Sequence, residues 1–288
     1  MQLGETARGL VDLSRAGNAV AAGVLTATGA FVASPSLTHL GTQWLPVVAA
    51  VVATLSATGA GNAINDYFDR DIDRINRPDR PIPRGAVSPR GTLAFSAVLF
   101  GLAVVGTLLV PRPAQLIAVV NLLALVAYTK LFKGLPGVGN LVVGYLTGST
   151  FLFGGAAVGN ISGAVVLFLL AGVATVTREI VKDVEDVAGD REEGLRTLPI
   201  AVGERPALWV GVAIMTAAVL ASAYPFLAGA FGVAYLLVVI PADLVMLGAS
   251  VAAFRDPGLG QRRLKHGMYL AAVAFVVGRS AALLGGVA

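Results

Sequence analysis

Asn65-Asp66-Tyr67-Phe68-Asp69-Arg70-Asp71-Ile72-Asp73 closes one long apolar stretch, and Lys182-Asp183-Val184-Glu185-Asp186-Val187-Ala188-Gly189-Asp190 closes another. Asp66, Asp69 and Asp73 have the same spacing as Asp183, Asp186 and Asp190, at an offset of 117 residues (183 − 66 = 117). On an α-helix, positions i, i+3 and i+7 share a face, so each run is expected to line up three carboxylates that repel one another unless a cation sits between them. Carboxylates are hard ligands suited to Mg²⁺, which commonly completes its shell with phosphate oxygens. The two runs together predict a diphosphate clamped between metal ions.

The surroundings sharpen that expectation. The 288 residues are 56% hydrophobic and only 13% charged, with a mean hydropathy of +0.79. That balance describes a polytopic all-α membrane protein. Nine apolar segments near spanning length are expected at about 17–37, 43–65, 92–110, 114–132, 138–157, 162–182, 206–224, 229–253 and 267–286. Five glycines in the fifth segment, Gly139, Gly144, Gly148, Gly154 and Gly155, suit close helix packing in lipid. The first segment follows Glu5 and Asp12 as well as Arg8 and Arg15, unlike a basic signal leader, and reads as a retained span. The polar stretches at about 66–91 and 183–205 read as loops, so residues 1–288 are expected to form a single domain.

Charge orients the chain. With the N-terminus inside, every Lys and Arg except Arg112 and Arg279 falls on the inner side, which predicts both acidic runs at the cytoplasmic face of the cell membrane. Asp243 is the one carboxylate well inside a span, and an intramembrane acid is a functional candidate by default. The absence of cysteine excludes disulfides and thiolate metal sites. His39 and His266 offer no nucleophilic pair. Partners are expected to be membrane lipid and an anionic substrate, not nucleic acid.

At these residues the chain resembles the UbiA superfamily of intramembrane prenyltransferases. Asn65, Asp66, Asp69 and Asp73 match that family's Asn-Asp-x-x-Asp-x-x-x-Asp motif, and Asp186 and Asp190 its Asp-x-x-x-Asp motif. Arg77 to Pro81 and the Gly-x-x-Thr ending at Thr197 also look like family features. The resemblance implies nine helices around a central apolar cavity and Mg²⁺-dependent transfer of an isoprenoid from its diphosphate to an acceptor. It implies Asp66, Asp69, Asp186 and Asp190 as catalytic residues, with Asn65, Asp73 and Asp183 joining them as metal ligands. Asn65, Arg80, Arg84, Tyr128, Lys130 and Lys133 become candidates for substrate contact. Arg15 joins them, although the family often has Arg-Pro where this chain has Arg15-Ala16. The second acidic stretch looks most like the archaeal digeranylgeranylglyceryl phosphate synthase branch, which implies geranylgeranyl diphosphate as donor and the phosphorylated lipid geranylgeranylglyceryl phosphate as acceptor. Aromatic and chlorophyll prenyltransferases share much of the motif.

A cation-coupled transporter is the reading from another class, since such proteins also carry intramembrane acids. Transporter sites lie near the midplane, often between inverted repeats. Here the acids fall at span ends, and the offset keeps the same chain direction. The topology makes a direct prediction. Single cysteines from Ser88→Cys and Gly194→Cys should react with a membrane-impermeant thiol reagent from the cytoplasmic face alone, and one from Gly159→Cys from the opposite face alone. Labelling of the first two from opposite sides would separate the two acidic runs.

Overall fold

The computed structural model describes residues 2–132 and 134–285, with side chains described throughout these except at 2, 3, 72, 76, 129 and 130. Among the described residues there is no strand, and nine helices have sixteen residues or more: α1 (Ala16–Ala33), α2 (Trp44–Phe68), α3 (Pro89–Leu108), α4 (Arg112–Ala127), α5 (Val138–Ala157), α6 (Val165–Glu185), α7 (Glu204–Ser222), α8 (Val233–Ala252) and α9 (Pro257–Gly285). A thirteen-residue helix, Gln2–Ser14, precedes them. Seven of the nine are long and apolar enough to cross a membrane. The other two differ for visible reasons: α4 is shorter, and α5 carries Asn140, Thr147, Ser149 and Thr150 besides its five glycines. Large apolar side chains such as Leu123, Leu220 and Leu237 point outward, the arrangement lipid favours rather than water.

Element ends move from the expected positions where polar residues continue a helix. α2 and α6 run on into the acidic stretches, to Phe68 and Glu185. α9 begins at Pro257, ten residues before the expected start, because Gln261-Arg262-Arg263-Leu264-Lys265-His266 is helical though not apolar. Pro257 suits a first helical position, where its missing N–H costs nothing. α4 passes into a π-helical turn over Tyr128–Phe132.

Short connections alternate the helix directions and thereby fix which ends meet. His39 Nε2 bonds the Val158 carbonyl, and Asn160 donates to the Ala33 carbonyl, tying the α1–α2 and α5–α6 connections together at one end. Arg279 adds a bond to the Ser34 carbonyl there. The C-terminal ends of α2 and α6, with both acidic runs, consequently lie at the opposite end. α1, α5, α6 and α9 pack in a closed ring, with α2 and α3 outside α1, α4 outside α5, and α7 and α8 closing the far side.

The backbones of α1 and α5 approach each other closely. A Cβ on Gly154 would collide with the Thr26 carbonyl and the Ala30 amide, and one on Gly29 with the backbone of Phe151. With almost no hydrophobic force between helices in lipid, such backbone contact supplies the packing energy. Gly154→Ala should therefore lower the thermal unfolding midpoint in detergent, by the equivalent of about 1–3 kcal/mol for overpacking. Gly248→Ala, where the added methyl meets nothing, should leave the midpoint unchanged or slightly raised.

Candidate active site

The two acidic runs are built alike. α2 ends at Asp69 (φ −83°, ψ 0°) and a short helix, Arg70–Asn76, begins directly after it. α6 ends at Asp186 (φ −93°, ψ 3°), followed by the short helix Val187–Glu192. Backbone bonds carry across both junctions: Asp69 N–H to Asn65 and Asp73 N–H to Asp69 in one, Asp186 N–H to Lys182 and Asp190 N–H to Asp186 in the other. The sequence repeat is thus also a structural repeat. In both cases carboxylates crowd a helix C-terminus, where the helix dipole is negative and a cation is favoured.

The first run does not present three acids together, which corrects the expectation of one carboxylate face. Asp66, 4% exposed, accepts from Arg15 Nη2 at 2.8 Å and from Arg80 Nη1 at 3.1 Å, both on Oδ1. The same Arg80 Nη1 reaches Asp73 Oδ2 at 2.6 Å. The cation that relieves repulsion between Asp66 and Asp73 is therefore Arg80, brought back by the loop containing Pro78, Pro81 and Pro83. Asn65 and Asp69 remain exposed. Arg15 reaches Asp66 from a left-handed backbone turn (φ 46°, ψ 59°) between Gln2–Ser14 and α1, a conformation costing on the order of 1 kcal/mol. Arg84 lies to one side, with Nη2 on Asp12 Oδ2 at 2.6 Å and Nη1 on the Asp79 carbonyl.

In the second run Asp183 Oδ2 accepts from Asn140 Nδ2 of α5 at 2.8 Å, and Asp186 is exposed with Lys182 at 3.8 Å. Burial pushes the Asp190 carboxyl above its ordinary range, and Asp186 and Glu193 push it the same way. Tyr128, in the π turn, lies within electrostatic reach of Glu179, Asp183 and Asp190. The connection after α4 thus lies near the second run. Lys133 lies outside the described residues, as does the side chain of Lys130.

Inside the helix ring is a cavity of about 430 Å³, lined by α1, α2, α5, α6, α7, α8 and α9 and mostly apolar. Arg178, Lys265 and Asn18 mark its acid-bearing end. Ser222 and Asp243 line the other part, with Ser222 Oγ and Asp243 Oδ2 2.7 Å apart. Ser222 Oγ is also 2.7 Å from the Val219 carbonyl. Ser222 Oγ is the donor to Asp243 Oδ2, while Asp243 Oδ1 is buried with no partner among the described residues. The intramembrane acid is paired within the helix bundle.

Asn140 and Arg178 were not among the expected site residues. Asn140 sits one residue after Gly139 in a glycine-rich segment, and only its contact with Asp183 distinguishes it. Arg178 was detectable as the first charge after the uncharged residues 165–177, two turns ahead of Asp186 on one helix. Among the described residues no three acidic or histidine side chains already converge as a metal cage. The donors nevertheless fit Mg²⁺, because they are amide and carboxylate oxygens on exposed helix ends and that ion keeps several waters and phosphate oxygens.

The chain matches the UbiA prenyltransferase family over residues 22–282. A digeranylgeranylglyceryl phosphate synthase of Natronomonas pharaonis is 61% identical over 278 residues, covering 96% of this chain and 99% of that one. A solved structure concerned with digeranylgeranylglyceryl phosphate synthase in membranes superposes with a TM-score of 0.79 at 34% identity, over 96% of this chain and 99% of that one. A UbiA homologue from Archaeoglobus fulgidus bound to GPP and Mg²⁺ shares the fold, with a TM-score of 0.65 at 17% identity over 94% of this chain and 99% of that one. The protein is an integral membrane protein of the UbiA prenyltransferase family.

Proposed function

We propose that this prenyltransferase joins a geranylgeranyl group from geranylgeranyl diphosphate to the free hydroxyl of geranylgeranylglyceryl phosphate, at the cytoplasmic side of the cell membrane, with residues 1–288 acting as one catalytic domain whose nine long helices all cross the bilayer. The observation that carries the reading is the pair of matching acidic helix ends placed at one end of an apolar cavity. The C–O bond to diphosphate breaks, an ether C–O bond forms to the acceptor oxygen, and the hydroxyl proton and diphosphate depart.

Asn65 and Asp69 of the first run and Asp183, Asp186 and Asp190 of the second are the proposed metal ligands, with the unshared Oδ2 of Asp66 beside them. When bound, Mg²⁺ supplies Lewis-acid neutralisation of the diphosphate. Arg15 and Arg80 hold Asp66 and Asp73 in position, so their role toward substrate is indirect. Lys130, Lys133 and Tyr128 are proposed to face the diphosphate from the connection after α4, with Arg84 further out. The cavity walls exclude water while positive charge develops on the allylic carbon, which keeps the cation from hydrolysis. The fit of GPP and Mg²⁺ to the Archaeoglobus fulgidus homologue supports this use of the fold.

Asp69→Asn and Asp186→Asn should each reduce transfer by at least about 100-fold while the protein stays folded, the scale of removing one charge-stabilising group. A chelator should do the same to the unaltered protein. Geranylgeranylglyceryl phosphate should be prenylated far faster than 4-hydroxybenzoate or a chlorophyllide. Full activity in either variant would overturn the metal assignment, and faster use of an aromatic acceptor would overturn the ether-lipid assignment.

A further inference from the structure

Most basic residues near the first acidic run are already engaged: Arg15 and Arg80 by Asp66 and Asp73, Arg84 by Asp12. Two at the cavity are placed differently. Arg178 projects from α6 and Lys265 from α9, and both line the cavity. Arg178 Nη2 approaches Gln261 Oε1 at 3.4 Å. Gln261 and Lys265 are four residues apart on α9 and share a face, so both cations line the acid-bearing end of the cavity.

Their charges are only partly answered. Arg178 Nη1 bonds Glu179 Oε1 at 2.7 Å, while Arg178 Nε is buried with no partner. Lys265 makes no ion pair among the described residues, only a distant approach to the Tyr269 ring, 5.9 Å from its centre. Asn18 of α1 adds an amide on the same cavity. With one carboxylate bonded to Arg178 and none to Lys265 among the described residues, the two side chains leave a net positive charge at a mostly apolar cavity, where an anion would be held strongly.

We propose that Arg178 and Lys265, with Asn18, form the binding site for the phosphate of the acceptor lipid, separate from the acidic runs that take the donor's diphosphate. The proposal rests on the prenyl-transfer reading above. It divides the two anionic groups between two kinds of partner: the diphosphate goes to acid-held metal, and the phosphate monoester to direct guanidinium and ammonium donors. A glycerol-phosphate headgroup at this end leaves its hydrocarbon tail free to follow the apolar wall or the surrounding lipid.

The test compares geranylgeranylglyceryl phosphate with geranylgeranylglycerol, the same lipid without its phosphate, in the unaltered protein, Lys265→Gln, Arg178→Gln and Arg178→Lys. The ratio of kcat/KM for the two acceptors should fall about tenfold or more in each Gln variant, as expected for a lost hydrogen bond to a charged group, and Arg178→Lys should recover part of it. An equal loss on both lipids, or a rise in KM for the prenyl diphosphate alone, would overturn the proposal. Thermal stabilisation by the two lipids in detergent provides a second readout that does not depend on turnover. Phosphate-dependent stabilisation that is lost in Lys265→Gln would uphold the site even if transfer to this acceptor failed, whereas stabilisation retained in Lys265→Gln would overturn it. Failure of transfer by the unaltered protein would count against the reaction alone.

Discussion

The buried charge of Asp66 is the constraint on which the acid-bearing end depends. A carboxylate in the last turn of α2, with 4% exposure, meets both the desolvation cost of burial and the negative end of its own helix. Arg15 and Arg80 answer it together. Satisfying it requires a left-handed turn at Arg15 before α1 and a proline-stiffened loop that returns Arg80 to α2. Asp66 is the buried member of the set, while Arg15 at 39% and Arg80 at 18% side-chain exposure keep part of their hydration. One ion-pair network thus joins the N-terminal helix, the first two spanning helices and the loop after them, and leaves Asp69 exposed at the junction.

The second run reaches a similar result with less ionic support. Asn140 donates to Asp183 across the α5–α6 contact, and that contact is close because Gly144 and Gly148 let the helices approach. A Cβ at Gly148 would stand 2.5 Å from the Phe168 carbonyl. Small residues in mid-membrane therefore help set the position of an acid several turns away. At the same end, the cavity meets Asn18, Arg178 and Lys265, so an anion bound there stays next to an apolar space for hydrocarbon.

Much of this was legible in the chain. The spacing of Asp66, Asp69 and Asp73 and its recurrence at Asp183, Asp186 and Asp190 point to the two matching helix ends because helical period and charge repulsion act on sequence directly. The apolar segments and the bias of Lys and Arg likewise indicate a membrane bundle. Less legible was which acids stay free. Arg80 is fourteen residues from Asp66, and only the folded loop shows that it bridges Asp66 and Asp73. The early start of α9 was hidden because Arg262, Arg263 and Lys265 resemble a loop by hydropathy. The pairing of Arg178 with that segment, and with it the proposed phosphate site, depends on the α6–α9 contact, which no local pattern encodes.

The central claim is that the two acidic helix ends hold one diphosphate between them. Equilibrium binding of a non-reacting thio analogue of geranylgeranyl diphosphate, in the presence of Mg²⁺, tests it most directly in the unaltered protein, Asp69→Asn, Asp186→Asn and the double variant. If both ends act on one ligand, each single substitution weakens binding by about tenfold or more, and the double variant loses less than the sum of the two in free energy. Binding unchanged by either substitution, or losses that simply add, would mean that the two runs do not share a diphosphate.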